Sequence, residues 1–195
     1  MTRTTSVTRT TGETAIELSV DLDGTGVYAI STGSGFFDHM LTALSRHSLI
    51  DMDVHVEGDT WVDDHHTVED TGIALGKALR QALGDCAGIR RFGSQIVPLD
   101  EALILASVDI SGRGGLYWDV PIEPTKVGTF DTELAQEFFI GFAREAGITL
   151  HLRKLAGTNA HHIIEACFKS CARALRIACE KDPRVTGIPS TKGVL

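Results

Sequence analysis

The chain lacks any C-x-x-C pair, although four of its 195 residues are cysteines. Thiolate metal sites usually use that spacing. Cys86, Cys167, Cys171 and Cys179 therefore read as buried, reduced thiols, the last three on one helical stripe beside Phe168, Leu175 and Ala178. No apolar run approaches the roughly 18 residues that cross a membrane. The first residues are threonine-rich and β-like rather than signal-like, and a cytoplasmic location is expected. Basic residues are also scarce, with 18 Lys and Arg against 26 Asp and Glu, for a formal charge of −8. Nucleic acid and anionic membrane both require a basic footprint, so neither is expected as a partner. Any phosphate must be met by a few local cations. No Pro-rich, Ser-rich or charged linker divides the chain, so it is treated as one unit.

What the chain does contain is a repeat. Asp64-His65-His66-Thr67-Val68-Glu69-Asp70 and Asn159-Ala160-His161-His162-Ile163-Ile164-Glu165-Ala166 share the pattern His-His-x-x-Glu at an offset of 96 residues. Glu101 to Gly114 lies without a gap over Glu13 to Gly26 at an offset of 88, and extra residues around Pro121 to Phe130 account for the difference. Alternation predicts an edge strand at 3–10, a half-buried strand at 13–22 and a third strand from Val27 to Ser31. Phe36, Phe37, Met40, Leu41 and Leu44 have helical spacing ending near His47; a strand over Met52 to Val56 and a long helix from His65 follow. In the second copy, Leu116 to Val120 reads as a strand, Leu134 to Ala146 as a helix, 149–152 as a strand, and a second His-His helix runs to about Ala178. Each copy thus reads strand, strand, helix, strand, helix. The expected fold is α+β, an internal duplication with two sheet layers and the helices packed between them. Repeat 1 covers about 3–92 and repeat 2 about 93–182, with a tail at 183–195. This arrangement is expected to bring the two His-His helices towards one another.

If each motif opens a helix, the first His and the Glu lie one turn apart, and the second His is also a neighbour of the Glu. The adjacent imidazoles leave the helix about 100° apart and so could serve different ions. Imidazole and carboxylate donors without thiolate suit Mn(II), Fe(II), Zn or Co. The short helices offer two more candidates in one register, His39 and Glu137. Two ions with open positions left over form a catalytic rather than a closed structural arrangement. His55 and His151 are also repeat mates, but alternation points them away from the apolar faces of their strands, and a structural role is expected.

The motifs Gly35-Phe36-Phe37-Asp38-His39-Met40-Leu41, Asp64 to Asp70, Asn159 to Ala166 and Pro189-Ser190-Thr191-Lys192-Gly193-Val194-Leu195 together resemble the imidazoleglycerol-phosphate dehydratase family of histidine biosynthesis. The resemblance spans essentially the whole chain. It implies a hydro-lyase that converts D-erythro-imidazole-glycerol phosphate to imidazole-acetol phosphate with two Mn(II) ions per active site. It also implies a fold similar to the second domain of ribosomal protein S5, and a homo-oligomer of trimers assembled into a 24-mer. By position, His39, His65, His66, Glu69, Glu137, His161, His162 and Glu165 resemble the metal ligands, although many relatives carry His where this chain has Glu137. Glu13 resembles the acid/base residue, a role its repeat mate Glu101 does not inherit. His47, Arg91, Arg113, Lys169, Ser190 and Lys192 resemble substrate contacts. The proton to be removed is not next to a carbonyl, so the expected route binds the imidazole between the ions as imidazolate. Its electrons expel the hydroxyl, giving a diazafulvene-type intermediate. Two other readings remain: a dinuclear metallohydrolase acting on a small phosphate ester, and an S5-like nucleic-acid module, against which the acidic balance weighs.

Overall fold

The computed structural model describes residues 2–195. In repeat 1, β1 (Thr4–Thr10), β2 (Thr14–Asp21), β3 (Tyr28–Ser31) and β4 (Asp51–Gly58) form a sheet in the order β1-β2-β4-β3. Helix α1 (Gly35–Ser48) joins β3 to β4, and α2 (His65–Leu83) follows β4. Repeat 2 builds the same sheet from β5 (Phe92–Leu99), β6 (Ala102–Ile110), β7 (Gly115–Asp119) and β10 (Ile148–Ala156), in the order β5-β6-β10-β7. Its helices are α3 (Leu134–Ala146) and α4 (Ala160–Cys179). In both sheets the two outer pairings on one side are antiparallel and the last, β3 with β4 or β7 with β10, is parallel. The extra residues between the copies form a small hairpin, β8 (Lys126–Val127) with β9 (Phe130–Asp131), whose Phe130 is buried against Phe36.

Alternation places the core. In β2, Ile16, Leu18 and Val20 are buried, and in β6 Ile104, Ala106, Val108 and Ile110 are, so each sheet turns one apolar face to the helices. His55 and His151 stand on the opposite, outward faces, as expected. His55 lies 3.3 Å from Asp53, and His151 stacks on Tyr117 with ring centroids 4.4 Å apart. The repeat unit also holds one more strand than its spacing indicates, since β5 stands where β1 stands in repeat 1. The physical reason is a blurred pattern: Phe92 and Ile96 point outward, more than half exposed, while Gly93 faces α4. Pro98 further weakens the strand signal. Cys167, Cys171 and Cys179 are buried and free, and desolvation raises their thiol pKa values, that of Cys179 to about 12. Cys86 is only half-buried, in the turn after α2.

The helices form the layer between the sheets, but the two His-His helices do not pack directly on one another. Instead α2 packs against α3, and α4 against α1. The reason lies in glycine. A methyl group at Gly72 would run into the Phe138 carbonyl oxygen, and one at Gly76 would stand 2.5 Å from the Phe142 carbonyl oxygen. From the α3 side, a Cβ at Gly141 would stand only 3.2 Å from the Ile73 backbone nitrogen. These contacts run in the same order along both helices, so α2 and α3 are parallel and begin at the same edge. Gly72→Ala is expected to destabilise the protein by about 1–3 kcal/mol through overpacking, read as a lower denaturation midpoint, whereas Lys77→Ala on the exposed side of α2 should leave the midpoint unchanged.

Candidate active site

The edge where the helices begin carries the histidines. Asn159 caps α4, its side chain accepting the His162 N–H at 3.3 Å. At the start of α2, Asp63 accepts the His65 N–H at 2.8 Å. Because α4 lies along α1, His39 of α1 meets the first His and the Glu of the second motif: Glu165 Oε2 is 3.4 Å from His39 Nε2 and 3.2 Å from His161 Nε2. Among the described residues, only these three bring such donor atoms within 4.8 Å of one another. Donors sharing one ion at about 2.1 Å stand roughly 3 Å apart, so the trio fits a metal with little adjustment. The other oxygen of Glu165 pairs with Lys169 Nζ at 2.7 Å. Burial pushes the Glu165 carboxyl up, but Lys169 and His39 outweigh it and hold the pKa below the ordinary value.

The repeat places equivalent residues at the starts of α2 and α3. His65 Nε2 and Glu69 Oε2 are 3.7 Å apart on α2, and Glu137 stands in the first turn of the adjoining α3. The structure does not draw Glu137 into the tight spacing seen around Glu165. As helical geometry required, His66 and His162 leave their helices in another direction from their neighbours. His66 Nδ1 is 3.0 Å from Asp59, with Nε2 3.6 Å from Glu13; His162 Nδ1 is 2.8 Å from Glu101, with Nε2 3.8 Å from Asp100. The hydrogen bonds to Asp59 and Glu101 raise the pKa values of His66 and His162, and those from His162 and the Asn159 N–H hold Glu101 down to about 2. Asp59 was not legible in the sequence. It follows Gly58 as a turn residue, and its equivalent position in the second copy holds Leu155.

Glu13 occupies the turn between β1 and β2. Thr11 Oγ1 accepts its N–H at 3.2 Å, and its carbonyl accepts the Asp59 N–H at 3.1 Å. Beneath that turn, Asp70 accepts hydrogen bonds from Arg9 at 2.5 Å and Thr14 at 2.6 Å, tying both strands to α2. The substrate-contact candidates separate into two groups. His47, near the end of α1, is flanked by Lys169 and Arg173 of α4; burial first, then these cations, lower its pKa. Arg91 and Arg113 converge on Asp109, at 2.7 and 3.8 Å, and Arg91 Nη1 also donates to the Pro189 carbonyl at 2.9 Å. That contact seats the tail beside them. Lys192 N–H donates to Ser190 Oγ at 3.2 Å, and Leu195 lies against Gly112, whose Cβ position it fills.

A family model described as imidazoleglycerol-phosphate dehydratase matches residues 32–175. The chain belongs to the imidazoleglycerol-phosphate dehydratase family. It is accordingly a hydro-lyase. Among curated relatives, the imidazoleglycerol-phosphate dehydratase of Granulibacter bethesdensis is 61% identical over 196 residues, covering 100% of both chains. That of Dinoroseobacter shibae is 60% identical over 194 residues, covering 99% of this chain and 100% of its own. Two solved dehydratases share the fold with a TM-score of 0.84. The enzyme from Staphylococcus aureus is 38% identical and covers 92% of this chain and 99% of its own. The Pyrococcus furiosus enzyme, in complex with (S)-C348, is 40% identical and covers 97% and 100%.

Dehydratases of this family are metal-dependent in general, and the donor set described here fits that requirement. To ligate through Nε2, His66 and His162 must shed a proton, and their pKa values are raised above the ordinary 6.5. Mn(II) affinity is therefore expected to climb with pH through and just above that value and then level off. Chelator competition across this range measures it, and a flat profile would exclude both imidazoles as ligands.

Proposed function

We propose that this chain dehydrates D-erythro-imidazole-glycerol phosphate to imidazole-acetol phosphate in the cytoplasm, using two Mn(II) ions per active site. The observation that carries the reading is the doubled set of His and carboxylate donors at one helix edge, with Glu13 beside His66 Nε2. His39, His161 and Glu165 would hold one ion, and His65, Glu69 and Glu137 would contribute to the other, with His66 and His162 supplying further imidazoles. Bound there, the ions would supply the positive charge that keeps the substrate's ring as imidazolate.

The remaining chemistry falls to the substrate and the chain's own residues. The ring electrons of the imidazolate expel the hydroxyl, which gains a proton and leaves the adjacent carbon as water, giving a diazafulvene-type species. Loss of a proton from the next carbon yields an enol, which becomes the ketone. Glu13 is an exposed carboxylate with a backbone fixed at both ends, so it is suited to move one of these protons. Arg91, Arg113, Ser190 and Lys192 gather cations and hydroxyl at one place and suit the phosphate. His47 and Lys169 would contact the substrate beside Glu165.

Distance supports a shared site. The Arg91 N–H donates to the Ala178 carbonyl near the C-terminal end of α4, whereas His161 stands at its start. At 1.5 Å per residue these lie roughly 25 Å apart. A single imidazole bearing a three-carbon phosphate reaches only about 10 Å with ordinary bond lengths. The metal donors and the phosphate group of one active site therefore come from different copies, which favours a homo-oligomer of the trimer-built, 24-subunit kind.

Glu13→Gln is expected to keep Mn(II) and substrate binding while losing turnover, read by calorimetry alongside ketone formation. Unchanged turnover would remove Glu13 from the mechanism, and phosphate release without loss of water would favour a hydrolase. Mixed oligomers assembled from two inactive variants, His161→Ala and Arg113→Ala, should regain measurable activity, because some sites combine an intact metal half with an intact phosphate half. No recovery in particles shown by mass to be mixed would place the whole site within one chain.

A further inference from the structure

The two outward imidazoles are held by carboxylates that do not correspond in the repeat. In repeat 2 it is Glu101, the mate of Glu13, whose Oε2 meets His162 Nδ1 at 2.8 Å, while its Oε1 accepts the Asn159 N–H at 2.9 Å. In repeat 1 the equivalent Glu13 makes no such bond. His66 Nδ1 is met instead by both oxygens of Asp59, at 3.1 and 3.0 Å, from the segment between β4 and α2. Asp59 is buried, with 8% exposure. An ionised carboxylate only accepts hydrogen bonds, so Nδ1 of each ring must be the donor. In the neutral ring this leaves the lone pair on Nε2, the nitrogen facing Glu13 in one case and Asp100 in the other.

We propose that Asp59 and Glu101 are positioning residues that fix His66 and His162 in the tautomer whose Nε2 is free to ligate, and that Asp59, by taking this task in repeat 1, releases the Glu13 carboxylate for proton transfer. The same glutamate position therefore has two uses. In repeat 2 it is consumed in holding an imidazole, with its two oxygens divided between that ring and the start of α4. In repeat 1 an aspartate from another segment holds the ring, and the glutamate side chain has no hydrogen bond among the described residues. The inference rests on the metal-centre reading for its purpose, while the hydrogen bonds it uses are made within the chain itself.

Protein labelled with nitrogen-15 at histidine, kept metal-free and at a pH where the rings are neutral, reports each tautomer by solid-state NMR. Both His66 and His162 are expected as Nδ1–H. Asp59→Ala should shift His66 towards Nε2–H, and Glu101→Ala should do the same to His162, each lowering Mn(II) affinity by about 10–100-fold. Asp59→Asn keeps an acceptor and should restore the His66 tautomer, whereas Glu13→Ala should leave it as it is. Should Asp59→Ala fail to fold, the exposed Glu101 gives the same reading for His162. A folded Glu101→Ala or Asp59→Ala protein with unchanged tautomer and unchanged affinity overturns the proposal. So does a His66 tautomer that follows Glu13. If the tautomers shift as expected but the wild-type protein binds no Mn(II), the metal-centre reading fails and the positioning roles stand.

Discussion

Gly72 and Gly76 leave room on α2 for the Phe138 and Phe142 carbonyls of α3, and Gly141 returns the accommodation from the other side. With a side chain at those places the helices would separate, and the two sheets, each covered by its own helices, would lose the layer that joins them. The order of the contacts makes α2 and α3 parallel. The ladder of His39, His47, Lys169 and Glu165 shows the same for α1 and α4. Because the pairing is between helices of different repeats, each His-His helix meets the short helix of the other copy. That is why His39 joins His161 and Glu165, although more than a hundred residues separate them.

Much of this was legible in the chain. The periodicity of Leu134 to Ala146 marks a helix whose ends the structure reproduces, and the repeated His-His-x-x-Glu located the edge where donors gather. Alternation also placed His55 and His151 on outward faces. What could not be read depends on contacts between segments without a shared period. β5 turns Phe92 and Ile96 outward and sets Gly93, Val97 and Leu99 against its inner face, so its pattern is blurred. Asp59 lies in a turn and has no repeat mate of its own kind, and glycine in a helix does not reveal which partner it admits. The pairing of α2 with α3 was hidden for that reason.

The duplication is closest where packing is at stake and loosest where chemistry is. The two sheets have the same strand order and the same mixture of antiparallel and parallel pairings. Around the imidazoles, by contrast, the copies diverge: a tight trio at Glu165, a wider His65–Glu69 pair in the other copy, and a different carboxylate on each outward ring. A backbone copied twice offers equivalent positions, and divergence of single side chains then allots them separate tasks without disturbing the core.

The parallel helices have a further electrostatic consequence. Each α-helix carries about half a positive charge at its N-terminus, and four such ends lie at the edge that bears the histidines. That field disfavours cations, so a metal there needs compensating negative charge. Glu69, Glu137 and Glu165 stand within the first two turns of their helices, and Asp59 and Glu101 approach from outside them. The acidic character of the chain is thus partly a local counterweight: the carboxylates turn an edge whose backbone repels metal ions into one that can retain them.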